Sequence, residues 1–156
     1  MRKEYILLLI VLLILCSCKK KNNNTESEIN YNDISCYREI QDDDIYKVSR
    51  IDVRFIQNVI DTLNVTHRII FTKDSVKFLN NEVKYYKKYY QDKNKIKGIT
   101  AKFESDNSSY TGIITADFNS IKSSELDKID LPYNINKRIG KIEFSNMLES
   151  DNYICE

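Results

Sequence analysis

Hydrophobic and polar residues alternate one by one along several stretches of this chain. The longest run places its inward residues at every second position: Leu63, Val65, His67, Ile69 and Phe71. Shorter runs of the same kind surround Val53, Ala101 and Ile114. Because successive side chains of a strand point to opposite faces, this period of two predicts strands with one buried face.

Further segments add a turn and a last strand to this pattern. The polar cluster 104–109 separates the last two runs and predicts an antiparallel hairpin. Residues 138–144 are predicted to form a closing strand, with Ile142 and Phe144 pointing inward.

Residues 74–90 are compatible with two structures. Two short strands could meet at Asn80 and Asn81, because asparagine favours turns over the centre of a helix. A helix capped by Asp74 would instead align five residues near helical spacing: Val76, Leu79, Val83, Tyr86 and Tyr90. We favour the two strands because of the paired asparagines.

These patterns together predict a mainly β domain, an antiparallel meander of about six or seven strands. Such a sheet must bury one face, either by becoming barrel-like or by packing on one short helix. We predict that helix at residues 124–129, where Ser124 and Asp127 have the spacing of a capping box. Pro132 limits its extension.

The N-terminal end has a different pattern. Arg2 and Lys3 precede an apolar run over residues 6–15, and small residues follow that run. This order is typical of a secretory signal peptide. The run is shorter than the roughly 20 apolar residues that a permanent membrane-spanning helix needs.

The residues Leu15-Cys16-Ser17-Cys18 resemble the lipobox of bacterial lipoproteins. That motif has a branched aliphatic residue, two small residues and the cysteine that receives diacylglycerol, and Cys16 is an unusual residue in its position. The resemblance implies cleavage before Cys18 and a lipid anchor on its thiol. A cut before Cys16 would place bulky Leu15 at a position that favours small residues. Two acyl chains would give stable membrane anchoring.

The chain is therefore predicted to have a signal peptide (1–17), a flexible lipid-anchored tether (18–35) and a single β-rich domain (36–156). We expect the mature protein in the cell envelope. Lys19 follows the anchor instead of the aspartate associated with inner-membrane retention in many enteric bacteria. This favours the outer membrane in a cell that has one.

Cys36 and Cys155 are the two cysteines that remain after cleavage and lipidation. An exported domain reaches an oxidising compartment, in which cysteine pairs tend to form disulfides. Domain ends often lie close together, so we predict a Cys36–Cys155 disulfide. The alternative is a pair of free thiols.

Charge and composition exclude several kinds of site. The formal net charge of +1 gives no electrostatic reason to expect nucleic acid as a partner. The single histidine, His67, cannot supply a zinc site of the usual kind and is expected to be half-buried and hydrogen-bonded. Asp42-Asp43-Asp44 is expected to be a solvated acidic turn, not a calcium site. We expect no catalytic residue, no metal and no cofactor.

One stretch stands out by composition: Tyr85, Tyr86, Lys87, Lys88, Tyr89 and Tyr90. In a strand, each face would carry two tyrosines and one lysine. Tyrosine rings stack on sugars or bases and lysines bind anions, so this stretch is the candidate binding surface. The alternative is an edge strand whose lysines prevent pairing with other chains.

The anchor motif and the absence of a recognisable catalytic motif favour a non-catalytic lipoprotein that binds a partner at the membrane. The expected partners are the membrane, through the lipid anchor, and an envelope protein or glycan. Two alternatives remain open. One is an immunity-type lipoprotein that inhibits a toxin, and the other is a carrier that holds a small apolar ligand in a β-barrel cavity.

Overall fold

The computed structural model describes residues 31–73, 75–129, 131 and 135–156. The predicted signal peptide, Cys18, most of the predicted tether, Asp74 and Pro132 lie outside the described residues. Among the residues that are described, no helix is long and apolar enough to cross a membrane.

The described residues form six strands, two α-helices and two short 3₁₀ segments. The strands are β1 (Tyr31–Gln41), β2 (Ile45–Ile56), β3 (Val59–Phe71), β4 (Ile99–Ser105), β5 (Ser109–Asp117) and β6 (Ile154–Cys155). The α-helices are α1 (Leu79–Lys93) and α2 (Lys141–Glu149). The 3₁₀ segments are Val76–Phe78 and Ser123–Lys128.

The six strands form one antiparallel sheet with the order β4-β5-β3-β2-β1-β6. The prediction of a mainly β, antiparallel fold is therefore confirmed, although two α-helices pack on the sheet where one short helix was expected. The sheet is open, with β4 and β6 at its edges, so the barrel-like form does not occur. β1, β2 and β3 follow as a meander, but α1 then carries the chain past the sheet to the far edge. β5 returns between β4 and β3, which interrupts the meander.

One face of the sheet is buried under the helices. α1 packs on β4 and β5, and α2 packs on β1 and β6. Every second residue of the central strands faces this core, as the alternation predicted. Near α2, the rings of Phe55 and Phe144 meet edge to face with their centroids 6.1 Å apart. Both side chains are fully buried, so they anchor α2 to the sheet.

The prediction of two strands in residues 74–90 is wrong, because the chain forms the 3₁₀ segment and then α1. Asn80 and Asn81 lie in the first turn of α1 and not at its centre, so they cost the helix little. The helical spacing that we ranked second places Leu79 and Tyr90 in buried positions.

The predicted closing strand at residues 138–144 is also wrong. The chain is helical from Lys141, and the residues that α2 buries are Phe144 and Leu148, four positions apart. Ile142, which was predicted to point inward, is 78% exposed. A spacing of four places two side chains on the same face of a helix, and this spacing outweighed the short alternation of Ile142 with Phe144.

The sheet begins earlier than predicted. β1 starts at Tyr31, so residues 31–35, which we assigned to the tether, belong to the first strand. Ile34 is buried in the core, and the backbone of Ser35 exchanges hydrogen bonds with that of Glu156. The core and the backbone pairing both hold this segment to the body.

The short helix predicted at residues 124–129 is confirmed as the 3₁₀ segment Ser123–Lys128. Leu126 and Ile129 are both buried. The predicted cap by Ser124 does not occur, because the segment begins after Lys122 and has no side-chain cap.

The hairpin predicted around residues 104–109 is confirmed by the pairing of β4 with β5. Asp106 closes its turn by accepting hydrogen bonds from the backbone N–H groups of Ser108 and Ser109, both at 2.7 Å. The Ser108 N–H is the main reason that the pKa of Asp106 is lowered to about 2.

The Cys36–Cys155 disulfide joins β1 to β6, with the two Cα atoms 4.0 Å apart. The two cysteines face each other across the β1–β6 ladder. Cys36 is fully buried, so the bond ties the C-terminal end of the chain to the core.

Candidate functional site: a tyrosine pocket

The buried face of the sheet changes from apolar to polar toward one end. Strand pairing aligns Arg38, Ser49, His67 and Gly112 in one row across four strands. The next row toward this end includes Lys47, Ile69 and Tyr110. The preceding row is apolar: Cys36, Ile51, Val65 and Ile114. Polar residues at inward positions indicate that this end of the face does more than pack the apolar core.

Helix α1 lays four tyrosines over this polar end. Tyr90 is buried, Tyr86 and Tyr89 are half-buried, and Tyr85 is 65% exposed. Tyr86 stacks on Tyr110 of β5, with the ring centroids 5.0 Å apart and the planes inclined by 29°. The helix therefore presents a graded aromatic wall, from a buried ring at its base to an open ring at its rim.

Gly112 allows the helix to approach the sheet this closely. A Cβ atom at this position would lie 1.9 Å from Cζ of Tyr90 and 2.0 Å from its hydroxyl oxygen. No such contact is sterically possible, so the ring of Tyr90 occupies the space that any other residue at position 112 would fill. The same ring stacks on Phe103 of β4 at 5.6 Å.

A cavity of about 300 Å³ opens between these tyrosines and the sheet. We call it the tyrosine pocket. Five tyrosines form most of its wall: Tyr85, Tyr86, Tyr89, Tyr90 and Tyr110. Lys47, His67 and Ile69 line the side formed by the sheet. Pockets for small molecules begin at about 300 Å³, so this one admits a ligand with a single ring.

The residues of the predicted binding surface lie on different sides of α1. Tyr85, Tyr86, Tyr89 and Tyr90 line the pocket, whereas Lys87 and Lys88 are exposed and do not belong to its wall. The prediction treated the segment as a strand, in which tyrosines and lysines would share each face. In a helix the lysines turn away, and Lys47 of β2 supplies the cation instead.

His67 is half-buried and hydrogen-bonded, as predicted. Its Nδ1 lies 2.9 Å from Oγ of Ser49, the residue opposite it on β2. Ser49 is 1% exposed, so its hydroxyl cannot reach a molecule in the pocket. The contact orients the imidazole ring.

Lys47 is the cation of the pocket. Partial burial lowers the pKa of its ammonium group, and the charge of Arg38 lowers it further. Arg38 itself is neutralised by Asp151, with Nη1 and the carboxylate oxygen 2.6 Å apart. Within the part of the chain that the structure describes, Lys47 has no such ion pair, and the pocket wall contains no acidic residue.

Tyr110 forms the floor of the pocket. Burial raises the pKa of its hydroxyl group, and the neighbouring Tyr86 raises it further. The Tyr110 hydroxyl group therefore stays neutral and remains able to donate a hydrogen bond.

Comparison with solved structures reveals one similar fold. An NMR structure of a protein from Streptococcus pneumoniae TIGR4 matches with a TM-score of 0.56 and 8% sequence identity, over 83% of this chain and 87% of that one. The sequence itself matches no family of known proteins and no curated protein. At this identity the likeness shows a shared fold only.

A larger concavity, of about 480 Å³, lies on the other face of the sheet. Two of its charged pairs are solvent-exposed. Arg50 Nε lies 2.9 Å from a carboxylate oxygen of Asp52, and Arg54 Nε lies 3.6 Å from one of Asp33, while Glu156 adds a further acidic side chain. Exposed ion pairs contribute little, and none of the described residues that line this concavity carries an aromatic ring, so the tyrosine pocket is the stronger candidate.

The acidic turn Asp42-Asp43-Asp44 lies between β1 and β2 and is exposed, as predicted. Asp42 accepts hydrogen bonds from the backbone N–H groups of Asp44 and Ile45 at 2.8 and 2.7 Å. The Asp42 carboxylate therefore stabilises the turn. The described residues contain no cluster of side chains suited to hold a metal ion.

Lys47 was missing from the predicted site, although the sequence contains a signal for it. Lys47 and Ser49 continue the inward positions of Ile51 and Val53 along β2. A charged residue on the inward side of an alternating strand needs a partner or a cavity. Most of its neighbours in the pocket come from α1, whose residues were predicted to form strands.

Proposed function

We propose that this protein is a cell-envelope lipoprotein, anchored by lipid on Cys18, whose β-rich body binds a small ligand without catalysing a reaction. The tyrosine pocket is the observation that supports a binding role. It combines an aromatic wall, a partly buried cation and a histidine held in place by Ser49. A concave site with an apolar wall and a few convergent polar groups is the usual form of a small-molecule site.

The open sheet counts against one of the two alternative functions. A carrier of the kind we considered needs an enclosed barrel cavity, and a sheet with free edges at β4 and β6 does not enclose one. An immunity-type lipoprotein needs a protein-binding face. No feature of the described residues favours this function, and the capture experiment tests it directly.

The lipid anchor is tested by replacing Cys18, the residue proposed to accept the lipid. In cells grown with radiolabelled palmitate, Cys18→Ala is expected to abolish labelling and to leave the precursor uncut, because lipidation precedes cleavage in this kind of export. Cys16→Ala serves as the matched control and should be labelled normally. Labelling that persists in Cys18→Ala would place the acceptor elsewhere and remove the anchor from the proposal.

Ligand binding is tested by capture from envelope extract. Residues 19–156 contain the whole described fold and can be produced oxidised, immobilised and exposed to the extract, with retained small molecules measured by mass spectrometry. Tyr85→Ala is expected to reduce the retained ligand about fivefold, because one aromatic contact contributes about 1 kcal/mol. Tyr85 is exposed at the rim, so its loss leaves the fold intact.

Lys87→Ala is the control for this experiment, since Lys87 lies on the same helix outside the pocket. It should retain as much ligand as the unchanged protein. Equal retention by Tyr85→Ala and the unchanged protein would contradict binding in the pocket. Retention of one stoichiometric protein and no small molecule would replace the proposal with the immunity function.

A further inference from the structure

The end of the sheet at which β1 begins is distinguished by the charge of its connections. Strand pairing sets Asp33, Arg54 and Asp117 in one row at this end, and Tyr31 lies two residues farther along β1. We call it the tether end, because the chain leads from Tyr31 back to Cys18, which is proposed to carry the lipid.

Four described segments lie at the tether end: residues 57–58, 94–98, 118–122 and 135–141. The first three adjoin strands that begin or end there. The fourth is held there by Lys137, whose Nζ donates a hydrogen bond to the carbonyl oxygen of Phe118 at 2.6 Å. These four segments contain no acidic residue. Their basic residues are Lys95, Lys97, Lys122, Lys137, Arg138 and Lys141.

The carboxylates closest to these segments are engaged within the protein. They accept hydrogen bonds or form ion pairs as follows: Asp33 with Arg54, Asp61 with Asn119, Asp117 with Ser120, Asp92 with Lys95, and Glu125 with Lys128. The exposed carboxylates at the margin are those of Asp127, Glu143 and Glu156. Among the described residues, Lys97, Lys122 and Arg138 form no ion pair, so they remain available to an external anion.

An exposed apolar side chain lies at the same end. Ile142, in the first turn of α2, is 78% exposed, more than any other large hydrophobic residue that the structure describes. It lines a surface concavity with Arg138 and Asn58. Lys141 holds the start of α2 beside β1, because its Nζ donates a hydrogen bond to Oδ1 of Asn32 at 2.6 Å. An aliphatic side chain next to cations suits the interface of a bilayer, where the apolar group enters and the cations contact phosphate.

The connections at the opposite end of the sheet have the reverse charge. Residues 42–44, 106–108 and 150–153 contain five acidic residues and no basic one, whereas residues 72–73 contribute Lys73. The tyrosine pocket lies toward this acidic end. Its Lys47 is seven residues from Arg54 along β2, which corresponds to roughly 23 Å in a strand. An anionic surface would therefore attract the tether end and repel the end that carries the pocket.

We propose that the tether end docks on an anionic lipid bilayer, with Lys97, Lys122 and Arg138 at the phosphate groups and Ile142 in the interfacial layer. This inference rests on the proposed lipoprotein function and adds a second contact with the same membrane. Thirteen residues separate Cys18 from Tyr31 and span at most about 45 Å, so the anchor keeps the tether end close to lipid. Docking directs the tyrosine pocket away from the membrane, where a dissolved ligand can enter it.

Co-sedimentation of residues 19–156 with phosphatidylcholine vesicles, with and without phosphatidylglycerol, tests docking without the lipid. The triple variant Lys97→Gln, Lys122→Gln and Arg138→Gln is expected to bind the anionic vesicles at least about tenfold less tightly, because each cation near such a surface strengthens binding. The triple variant Lys84→Gln, Lys87→Gln and Lys88→Gln removes the same charge from exposed positions of α1 and should weaken binding less than about twofold. The lysines at 19–21 are present in both variants.

A single tryptophan reports which end of the body meets the lipid, because the chain contains none of its own. Fluorescence of vesicle-bound Ile142→Trp is expected to be quenched by brominated lipids, since an indole ring at this position would lie in the interfacial layer. Tyr85→Trp replaces a ring that is 65% exposed at the rim of the tyrosine pocket and should show no quenching. Thermal unfolding verifies that each variant retains the fold.

Three results would overturn the docking. They are equal binding of the unchanged protein to both kinds of vesicle, equal losses in the two triple variants, and no quenching in bound Ile142→Trp. The labelling of Cys18 is measured separately, so the two contacts fail independently. Normal labelling without docking would leave the lipid anchor standing, and docking without labelling would remove the anchor alone.

Discussion

Replacing both Cys36 and Cys155 by alanine is expected to lower the free energy of unfolding by about 4 to 5 kcal/mol. The bond closes a loop with a sequence separation of 119 residues, which includes β2 to β6 and part of β1. Without it, the unfolded chain gains the entropy of an unrestricted loop. Domains of this size are stable by about 5 to 15 kcal/mol, so the expected loss is a large fraction of the total.

The disulfide also holds the polar end of the buried face. β6 pairs with β1 at two positions, next to the Ser35–Glu156 backbone pair, and Asp151, which neutralises Arg38, lies three residues before β6. Release of the C-terminal end would therefore loosen Arg38, the neighbour of Lys47. We expect loss of the bond to weaken ligand binding as well as stability.

Urea unfolding of the double variant, beside the oxidised and the reduced unchanged protein, measures this effect. The reduced protein should agree with the double variant to within about 1 kcal/mol, because both lack the cross-link and differ only in two small side chains. A loss below about 1 kcal/mol in both would show that closure of the loop contributes little to the stability of this fold.

The elements predicted correctly are those whose pattern is long and regular. The run from Leu63 to Phe71 shows one periodicity over its whole length, and it became the centre of the sheet. β1 was missed because Arg38 interrupts its inward series of Ile34, Cys36 and Ile40. Its partner, Asp151, is distant in sequence, so local pattern could not indicate that an arginine would be accommodated there.

The two helices were misread for a related reason. Short segments satisfy periods of two and of three to four at once, and contacts with the rest of the fold select between them. For α1, the deciding contacts are Tyr90 on Gly112 and Tyr86 on Tyr110, both with a strand that comes later in the chain. The low helix propensity of Asn80 and Asn81 was outweighed by these contacts.

The candidate site was also only partly predictable, because it too depends on contacts between segments that are distant in sequence. The unusual tyrosine stretch was recognisable by composition, and four of its tyrosines line the pocket. Lys47 and Tyr110 could not be joined to it without the order of the strands, because α1 comes between β3 and β4 in the chain and crosses to β5 in space. Composition indicated the chemistry of the site, and topology was needed to assemble it.

Gly112→Ala is expected to lower the free energy of unfolding by about 3 kcal/mol, the upper range for overpacking a core. The added methyl group would lie 1.9 Å from Cζ of Tyr90, so the ring must leave its position. In an ordinary strand alanine is at least as stable as glycine, because glycine loses more conformational entropy on folding. A destabilisation therefore measures the contact between α1 and the sheet.

A double-mutant cycle with Tyr90→Leu isolates this contact. Leucine lacks the ring atoms that meet the methyl group, so Gly112→Ala is expected to cost less than about 1 kcal/mol in the Tyr90→Leu background. Thr111→Ala, on the opposite face of β5, is the control for the strand itself. Equal costs of Gly112→Ala in both backgrounds would show that the glycine serves another purpose. A large coupling energy, with loss of ligand retention in Gly112→Ala, would link the close approach of α1 to the formation of the pocket.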